Sequence, residues 1–461
     1  MATYGSFPGV KVTTQSGGIS SIAIGSDEKI VVFGEANYDA SNDVDGTAAA
    51  ASPEQINARR EAETKFGAGS ELAEGMKEAL ANGANIQFLY GVAVPRVEVT
   101  GETFDNTASA TGTLDNVEVL EDISTISVAP NIEFRYGDGS GSSEPPTPSE
   151  DDTVYINPLT GEYSVTSGSV TNVTSDIDYT YNDYGGAFGS ASNVVNENET
   201  GIYVALSDSD SVSASLQSEV SNLRNDYQLV NAVSAAEPNA NEELTSVSDT
   251  DGGADARYDA SNYSNANQSV SAEYYYKFAP AREEDTVKTI AGGVAGLFAG
   301  NDISNPIYND ELNGYSSLEQ KFSKSDADNI RDEDIIPIRS GGSVRVQGNV
   351  ATNFSSADTV AAEFWTRRIT DRVILIGKQV GDNTIGKIND EDTRDAAERL
   401  ISAEMRSLVS DRLIKSNADE QNWTVDVYED STDSNQVNID ISFTPYGIVK
   451  RVDETITVST T

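Results

Sequence analysis

The heptapeptide Gly381–Lys387 (GDNTIGK) has the spacing GxxxxGK with which a glycine-rich loop wraps phosphate groups. In such a loop the backbone N–H groups face the anion and the lysine reaches its outer oxygens. The same chemistry needs a Ser or Thr directly after the lysine to hold magnesium, and Ile388 stands there. Asp390, Glu391 and Asp392 follow at once and would repel a phosphate from the start of the next helix. The stretch reads as a glycine-rich turn between a strand and a helix, and no nucleotide is expected.

The carboxylates come next. Ser41, Asp43, Asp45 and Gly46 are spaced like the first half of a calcium loop, but Ser leads it and Ser52 stands where a bidentate Glu belongs. Asp208/Asp210 and Asp249/Asp251 are looser still. With 75 Asp and Glu in 461 residues, such pairs arise by chance. The expectation is no dedicated metal site and no cofactor. The chain has no His and no Cys. Thiolate nucleophiles, disulfides and Cys/His zinc sites are therefore excluded, and a serine nucleophile would need Asp, Glu, Lys or Tyr as its base. Ser323/Lys324 and Lys415/Ser416 are neighbours in sequence only, and a paired-carboxylate glycosidase stays open for any acidic chain. The expected class is not an enzyme. The sequons at Asn172, Asn198 and Asn353 are what an Asn/Ser/Thr-rich chain contains by chance.

Arg399 and Arg406 share one helical face. Asp395, four residues before Arg399, allows a salt-bridged solvated surface. The functional alternative is a basic stripe aimed at an acidic partner. Both readings stay open on the residues alone.

The elements that would position these groups follow an α/β rhythm with an interruption. Val10 and Val12 in GVKVTT alternate as in a one-faced strand, and Ile30–Phe33 forms the next strand. Ser52–Ala62 opens like a helix, with Ser, Pro and Glu in order. Ser70–Ala81 is a second helix with Leu72, Met76 and Leu80 four apart, and Ile86–Val94 is a buried-type strand. After Pro95 the composition turns to Thr, Ser, Asn, Asp and Gly with short β patterns, and Gly137–Asp152 reads as a linker or exposed loop. At Ile202 the rhythm returns: a strand, a helix over Val212–Tyr227, strands at Leu229–Val233 and Glu273–Ala279, and a helix over Asp285–Ala299. Thr359–Arg368 is predicted to be a helix leading into a strand at Val373–Ile376. Asp390–Lys415 is a long amphipathic helix burying Ile401, Met405, Leu408 and Leu413. Two alternating strands follow at Trp423–Tyr428 and Val437–Thr444, and a last short one at Glu454–Thr460, carrying Ile456 and Val458. The fold class is a multidomain α+β or α/β protein. The expected divisions are 1–20, 21–95, a β-rich insertion at 96–195, 196–445, and 446–461.

The charge is −45, from 75 acidic and 30 basic residues spread along the chain. Such a surface repels itself in dilute buffer, and molar salt, with a Debye length of about 3 Å, removes most of that repulsion. The pattern fits adaptation to high salt. Nucleic acid is not an expected partner, because phosphate contacts need clustered Lys and Arg. No stretch is long and apolar enough to insert into a membrane, and the start MATYGSFPGV shows no secretory pattern, so the chain is expected to be made in the cytoplasm.

Taken together, the two ends resemble contractile tail sheath proteins of myovirus tails and related injection systems. The resemblance rests on Phe7-Pro8-Gly9-Val10-Lys11-Val12, on Phe66, Gly67, Gly69, Ser70 and Leu72, and on the Ala/Gly-rich Ile290–Ala299. It also rests on Gly341–Gly348 with Thr352, and on Trp365–Arg368. It covers about residues 1–95 and 285–461. Gln347 departs from it, standing where Trp is common, and the middle third matches nothing.

The resemblance implies a structural subunit, and the charge pattern makes it a salt-loving, haloarchaeal virus-like member of the family. It implies a sheath core built from both chain ends, a β-rich insertion facing out, and extended terminal β-arms carrying Val10, Val12, Ile456 and Val458 that join neighbouring subunits. Helix 390–415 would face the tube, making Arg399 and Arg406 tube contacts. The implied partners are further copies in a helical array with six-fold rings, a tail tube protein, and baseplate and tail terminator proteins. The implied place is the tail of an extracellular particle, assembled in the host cytoplasm, where contraction drives the tube through the host envelope. A surface-layer or adhesin subunit is the alternative from the residues.

Overall fold

A computed structural model describes residues 28–446 apart from 40–42, 106–110, 117–118, 121–124, 127–130, 136–144, 146, 149–152, 159, 166–173, 198, 237–269, 271, 282, 284–288, 306, 319–321, 354–362 and 417–421. Its contacts divide into a larger unit, within 25–301 and 309–364, and a C-terminal unit that takes in 302–308 and the chain from Trp365.

The larger unit begins with β1 (Lys29–Gly34), β2 (Glu54–Gln55), α1 (Arg59–Phe66), α2 (Glu71–Ala81) and β3 (Leu89–Ala93). Ser52–Ala62 does not open as one helix. Glu54 and Gln55 pair with Gly91 and Tyr90 at the sheet edge, and this extended pairing displaces the helix start to Arg59. Ile86–Phe88 is a 3-10 turn, capped by the Asn85 side chain, and the strand starts only at Leu89. The Phe66–Leu72 cluster is the corner between α1 and α2. Gly67 closes α1 at φ +91, where a side chain would be strained. The Ser70 hydroxyl accepts from the Ala73 amide at 3.2 Å to cap α2, and Phe66 and Leu72 are fully buried.

A β-rich segment follows: β4 (Arg96–Asp105), β5 (Thr111–Thr113), β6 (Thr125–Ile126), β7 (Asn131–Phe134), β8 (Thr153–Ile156), β9 (Glu162–Val165) and β10 (Thr174–Asn182). They form a three-stranded sheet, β4-β10-β6, and a four-stranded one, β5-β9-β8-β7. A separate core around Val154, Ile156, Val165, Ile177 and Tyr179 holds them. By α3 (Tyr184–Ser190) the chain is back in the main core, where Tyr184, Phe188 and Val195 pack.

The remainder of the larger unit is β11 (Thr200–Ala205), α4 (Asp210–Asn225), β12 (Leu229–Ala235), β13 (Tyr275–Ala279), α5 (Ala291–Gly300), β14 (Asp310–Glu311), α6 (Lys324–Asp332), β15 (Ile336–Ser340) and β16 (Val344–Val346). The nine-stranded sheet has the order β14-β16-β15-β13-β12-β11-β1-β3-β2. The six strands from β15 to β3 run parallel, with antiparallel strands at both ends. Parallel strands need crossovers, so both faces are covered: α2 and α5 pack on one, α3 and α4 on the other. That is why IVVF, IYVA and YYKFA read as unbroken buried runs rather than as alternation.

The C-terminal unit contains most of α7 (Phe364–Thr384), then α8 (Glu391–Ser410), β17 (Trp423–Glu429) and β18 (Val437–Phe443). The strand expected at Val373–Ile376 is the middle of α7. Ile369, Val373, Ile376 and Val380 make one helical stripe that packs in the same core as Ile401, Met405 and Leu408 of α8. Arg367–Asp371 and Lys378–Asp382 pair one turn apart along the same helix. Packing and pairing outweigh the β preference of VILI. Helix α8 is shorter than 390–415. Asp390 caps it by accepting from the Thr393 amide, and it stops at Ser410, after which Arg412 takes φ +58 and Ile414 bridges Pro445.

Candidate functional site

The hairpin β17–β18 is a two-stranded sheet among the described residues. Trp423, Val425 and Val427 lie opposite Phe443, Ile441 and Ile439, and all six turn toward the α7–α8 core. Thr424, Asp426 and Tyr428, with Asn438, Asp440 and Ser442, form the other face, where Thr424 and Ser442 hydroxyls meet at 2.6 Å and Tyr428 donates to Asp440 at 2.8 Å. The Asp430 amide donates to Gln436 O at 3.0 Å and the Thr444 amide to Asn422 O at 2.7 Å. Alternation then makes Thr424–Ser442, Asp426–Asp440 and Tyr428–Asn438 the hydrogen-bonded pairs. The N–H and C=O groups of Trp423, Val425, Val427 and Glu429 point out along one edge, and those of Val437, Ile439, Ile441 and Phe443 along the other. Only Val427 and Phe443 are buried; Trp423, Val425, Ile439 and Ile441 pack on the helices yet stay partly exposed.

Helix α8 turns Ala397, Ile401, Met405 and Leu408 inward. Arg399 and Arg406 lie on the opposite side with Ala403 and Leu400, which is 56% exposed. The Arg399 side chain is 79% exposed and donates to Asp395 at 3.2 Å, so the pair expected from the i, i+4 spacing forms on a solvated face. Val10, Val12, Ile456 and Val458 lie outside the described residues.

Trp365–Arg368 is where sequence reasoning saw a motif without a role. Trp365 Nε1 donates to Ile303 O at 2.7 Å. Arg367 and Asp371 form a two-point ion pair at 2.8 and 3.0 Å, with side chains only 7% and 1% exposed. Arg368 and Arg372 act on Asp302 electrostatically. Burial lowers the pKa of Arg372 against the pull of Asp411, Glu404 and Asp302.

In a doubly wound sheet, ligands enter at the carboxyl ends of the strands where the order reverses, here between β1 and β11. Leu206 fills that place. A Cβ on Gly34 would lie 2.6 Å from its Cδ1, and one on Gly75 would lie 2.7 Å from it. Beside it, Lys277, fully buried on β13, pairs with Asp210 at the start of α4. The Ser213 and Ser234 hydroxyls meet at 3.0 Å, and Tyr275 donates to Ser234 at 3.1 Å. These residue types could do acid–base work, but Ser213, Ser234, Tyr275 and Lys277 have essentially no exposed surface, and the network cross-links the sheet to α4.

The other motifs dissolve in the same way. Gly381–Thr384 is the last turn of α7, so no strand precedes the GxxxxGK spacing. Among the described residues no three His, Cys, Asp or Glu side chains cluster as metal ligands. Ser41 and Asp249/Asp251 lie outside those residues, and Gly46 is pressed against the Lys65 carbonyl. Ser323 caps α6 in a capping box, and the Lys415 amide donates to Thr444 O.

Sequence reasoning missed one set of contacts. Gly292, Gly296 and Gly300 of α5 lie against Gly75, Ala79 and Gly83, which belong to α2 or directly follow it. The four-residue spacing of small residues in both segments was the available signal.

No helix among the described residues is long and apolar enough to cross a membrane. No family model matches the sequence, and no curated protein matches it. Solved structures do match in fold. The helical sheath of the anti-feeding prophage in its contracted state is similar at a TM-score of 0.57 and 11% identity, over 98% of this chain and 99% of that one. The sheath complex of the extracellular contractile injection system PVC, also contracted, gives 0.52 and 13%, over 99% and 98%. A sheath tail protein from Listeria innocua gives 0.50 and 13%, over 91% and 96%. At these identities the likeness is one of architecture: the chain has the mixed α/β fold of tail sheath proteins.

Proposed function

We propose that this protein is a structural subunit of a contractile tail sheath. The observation that carries the reading is the whole-length fold similarity, 98% of this chain against 99% of a contracted sheath subunit. A second feature agrees with it. Among the described residues no third strand pairs with β18, and the partly exposed apolar face of the hairpin lies over the α7–α8 core, an arrangement that suits the addition of a strand. The terminal segments carrying Val10, Val12, Ile456 and Val458 are the strands to be added, between copies of the chain. A head-to-tail contact of this kind that does not close generates a helix, here built from six-fold rings.

The outward face of α8, with Arg399 and Arg406, meets the tail tube, while baseplate and terminator proteins cap the ends. Contraction releases energy stored in packing, drives the tube through an envelope and needs no hydrolysis. The charge of −45 supports assembly in concentrated salt, as in a halophilic, haloarchaeal virus-like system.

Electron microscopy of the purified chain with tube protein in molar KCl tests this, beside a variant lacking residues 1–14. Hollow helical cylinders from the full chain and dispersed folded particles from the variant are expected. Flat lattices would replace the reading with a surface layer, and cylinders from both would remove the arm from it.

A further inference from the structure

The sequence contains Asn-Gly twice, at Asn82-Gly83 and at Asn313-Gly314. The fold of the larger unit brings the two dipeptides together. Asn82 closes α2, and its side chain clasps the backbone of Asn313: Oδ1 accepts from the Asn313 amide at 2.7 Å, and Nδ2 donates to Asn313 O at 3.0 Å. Nδ2 also donates to Glu78 O at 2.9 Å. Both ends of the Asn82 amide are therefore held, and the residue is only 6% exposed.

Asn313 is the opposite case. Its bonds in the clasp run through its backbone, and the residue lies exposed on a turn. The residue after it has to be glycine. Gly314 takes φ +94, and a Cβ there would come 2.5 Å from Glu78 Oε2. The turn is fastened on either side. The Leu312 amide donates to Val344 O at 2.8 Å, and the Ser316 amide and hydroxyl both donate to Glu283 at 2.7 Å. The fold thus demands a residue without a side chain directly after an exposed asparagine.

We infer that Asn313 is a site of spontaneous deamidation, while Asn82, in the same dipeptide, is protected by the bonds its side chain makes to Asn313 and Glu78. The Gly314 nitrogen gives its proton to solvent base and attacks Asn313 Cγ. A new N–Cγ bond forms, the bond from Cγ to the side-chain nitrogen breaks, and ammonia leaves with a proton from water. Water then opens the five-membered imide at either carbonyl, giving aspartate or isoaspartate. One water is consumed and one ammonia released, with no oxidant or cofactor. A Cβ after the asparagine would crowd the attacking nitrogen, and at 314 there is none. For Asn82 to follow the same path, its amide would have to leave all three of its hydrogen bonds. In isoaspartate the main chain runs through Cγ and is longer by one methylene. The amide and carbonyl of residue 313 can then no longer both meet Asn82, and a new carboxylate appears two residues from Glu311. The product is a turn released from the end of α2, whatever the chain assembles into.

The test is to hold the folded, full-length protein in mildly alkaline buffer for days, digest it at acid pH and read each peptide by mass spectrometry. Asn313 should gain about 1 Da at least ten-fold faster than Asn82. The rate should rise with pH, because the attacking amide must lose its proton. Asn313→Gln, at an exposed position, keeps an amide but must close a six-membered ring, and the gain at 313 should vanish. In the converted chain the amide of residue 313 should exchange its hydrogen at least about ten-fold faster, having lost its acceptor. Equal rates at Asn82 and Asn313 would overturn the inference. So would an unconverted Asn313 after a time in which a synthetic peptide of 309–317 converts fully. Unchanged hydrogen exchange after conversion would overturn the release of the turn.

Discussion

Gly296 of α5 rests on the backbone of Ala79 in α2, so close that a Cβ at 296 would come within 3.0 Å of the Ala79 carbonyl oxygen. Gly296→Ala must therefore push two helices apart. The expected cost is about 1–3 kcal/mol, as for other overpacked sites, read from chemical unfolding at fixed salt. Gly189→Ala, where a Cβ meets nothing within 4 Å, is the matched control and should be neutral or slightly stabilising. Equal behaviour of the two variants would contradict the close approach.

The Arg367–Asp371 pair is buried on α7 with both partners present. Asp371→Ala leaves the guanidinium without its carboxylate, and a loss of about 3–5 kcal/mol is expected. The double variant Arg367→Leu/Asp371→Leu should recover most of it, since an apolar pair of similar volume carries no desolvation cost. If the double variant is as unstable as the single one, the pair holds more than its own charges.

Arg399 and Arg406 give the opposite result. Their surface is solvated, so replacing both with Glu should change stability by less than about 1 kcal/mol. In co-sedimentation with the tube protein the variant should still form sheath-like polymers but release the tube. Undiminished tube binding would remove α8 from that contact.

Asp302 supplies a pH dependence. Hydrogen bonds from the Ser304 hydroxyl and amide, and then the charges of Arg368 and Arg372, hold its carboxyl below the usual 3.8 against a smaller opposing effect of burial. A pKa depressed by folding contributes stability that is present above the unfolded value and lost as pH falls through the folded one. Parent and Asp302→Asn should therefore differ by a constant amount above about pH 5, and the difference should shrink below the unfolded value near 3.8. Parallel stability curves down to pH 2 would show that Ser304 and the two arginines do not hold this carboxylate.

Much of the larger unit was legible because its patterns were local. The capping serine at 70 and the buried spacing of Leu72 and Met76 placed α2 within one residue of its observed start. The continuous apolar runs at 30–33 and 202–205 announced strands, and the structure buries both along most of their length. The errors came where distant partners decide. VILI at 373–376 has the composition of a strand, and only α8 and the hairpin, brought alongside by the fold, make it a helix face. Pro53-Glu54 resembles a helix start until Tyr90 and Gly91 offer an edge to pair with. The basic face of α8 was visible in spacing, but the roles of Trp365 and Asp302 were not. Trp365 depends on Ile303, 62 residues before it, and Asp302 on Ser304 beside it and on Arg368 and Arg372 far along the chain.

Leu206 has a last consequence. Enzymes built on doubly wound sheets give up some loop stability at the carboxyl ends of the strands, since substrates must come and go. In this protein a leucine is seated there, against Gly34 and Gly75. That end of the sheet is closed by the chain itself, as a girder is and a vessel is not.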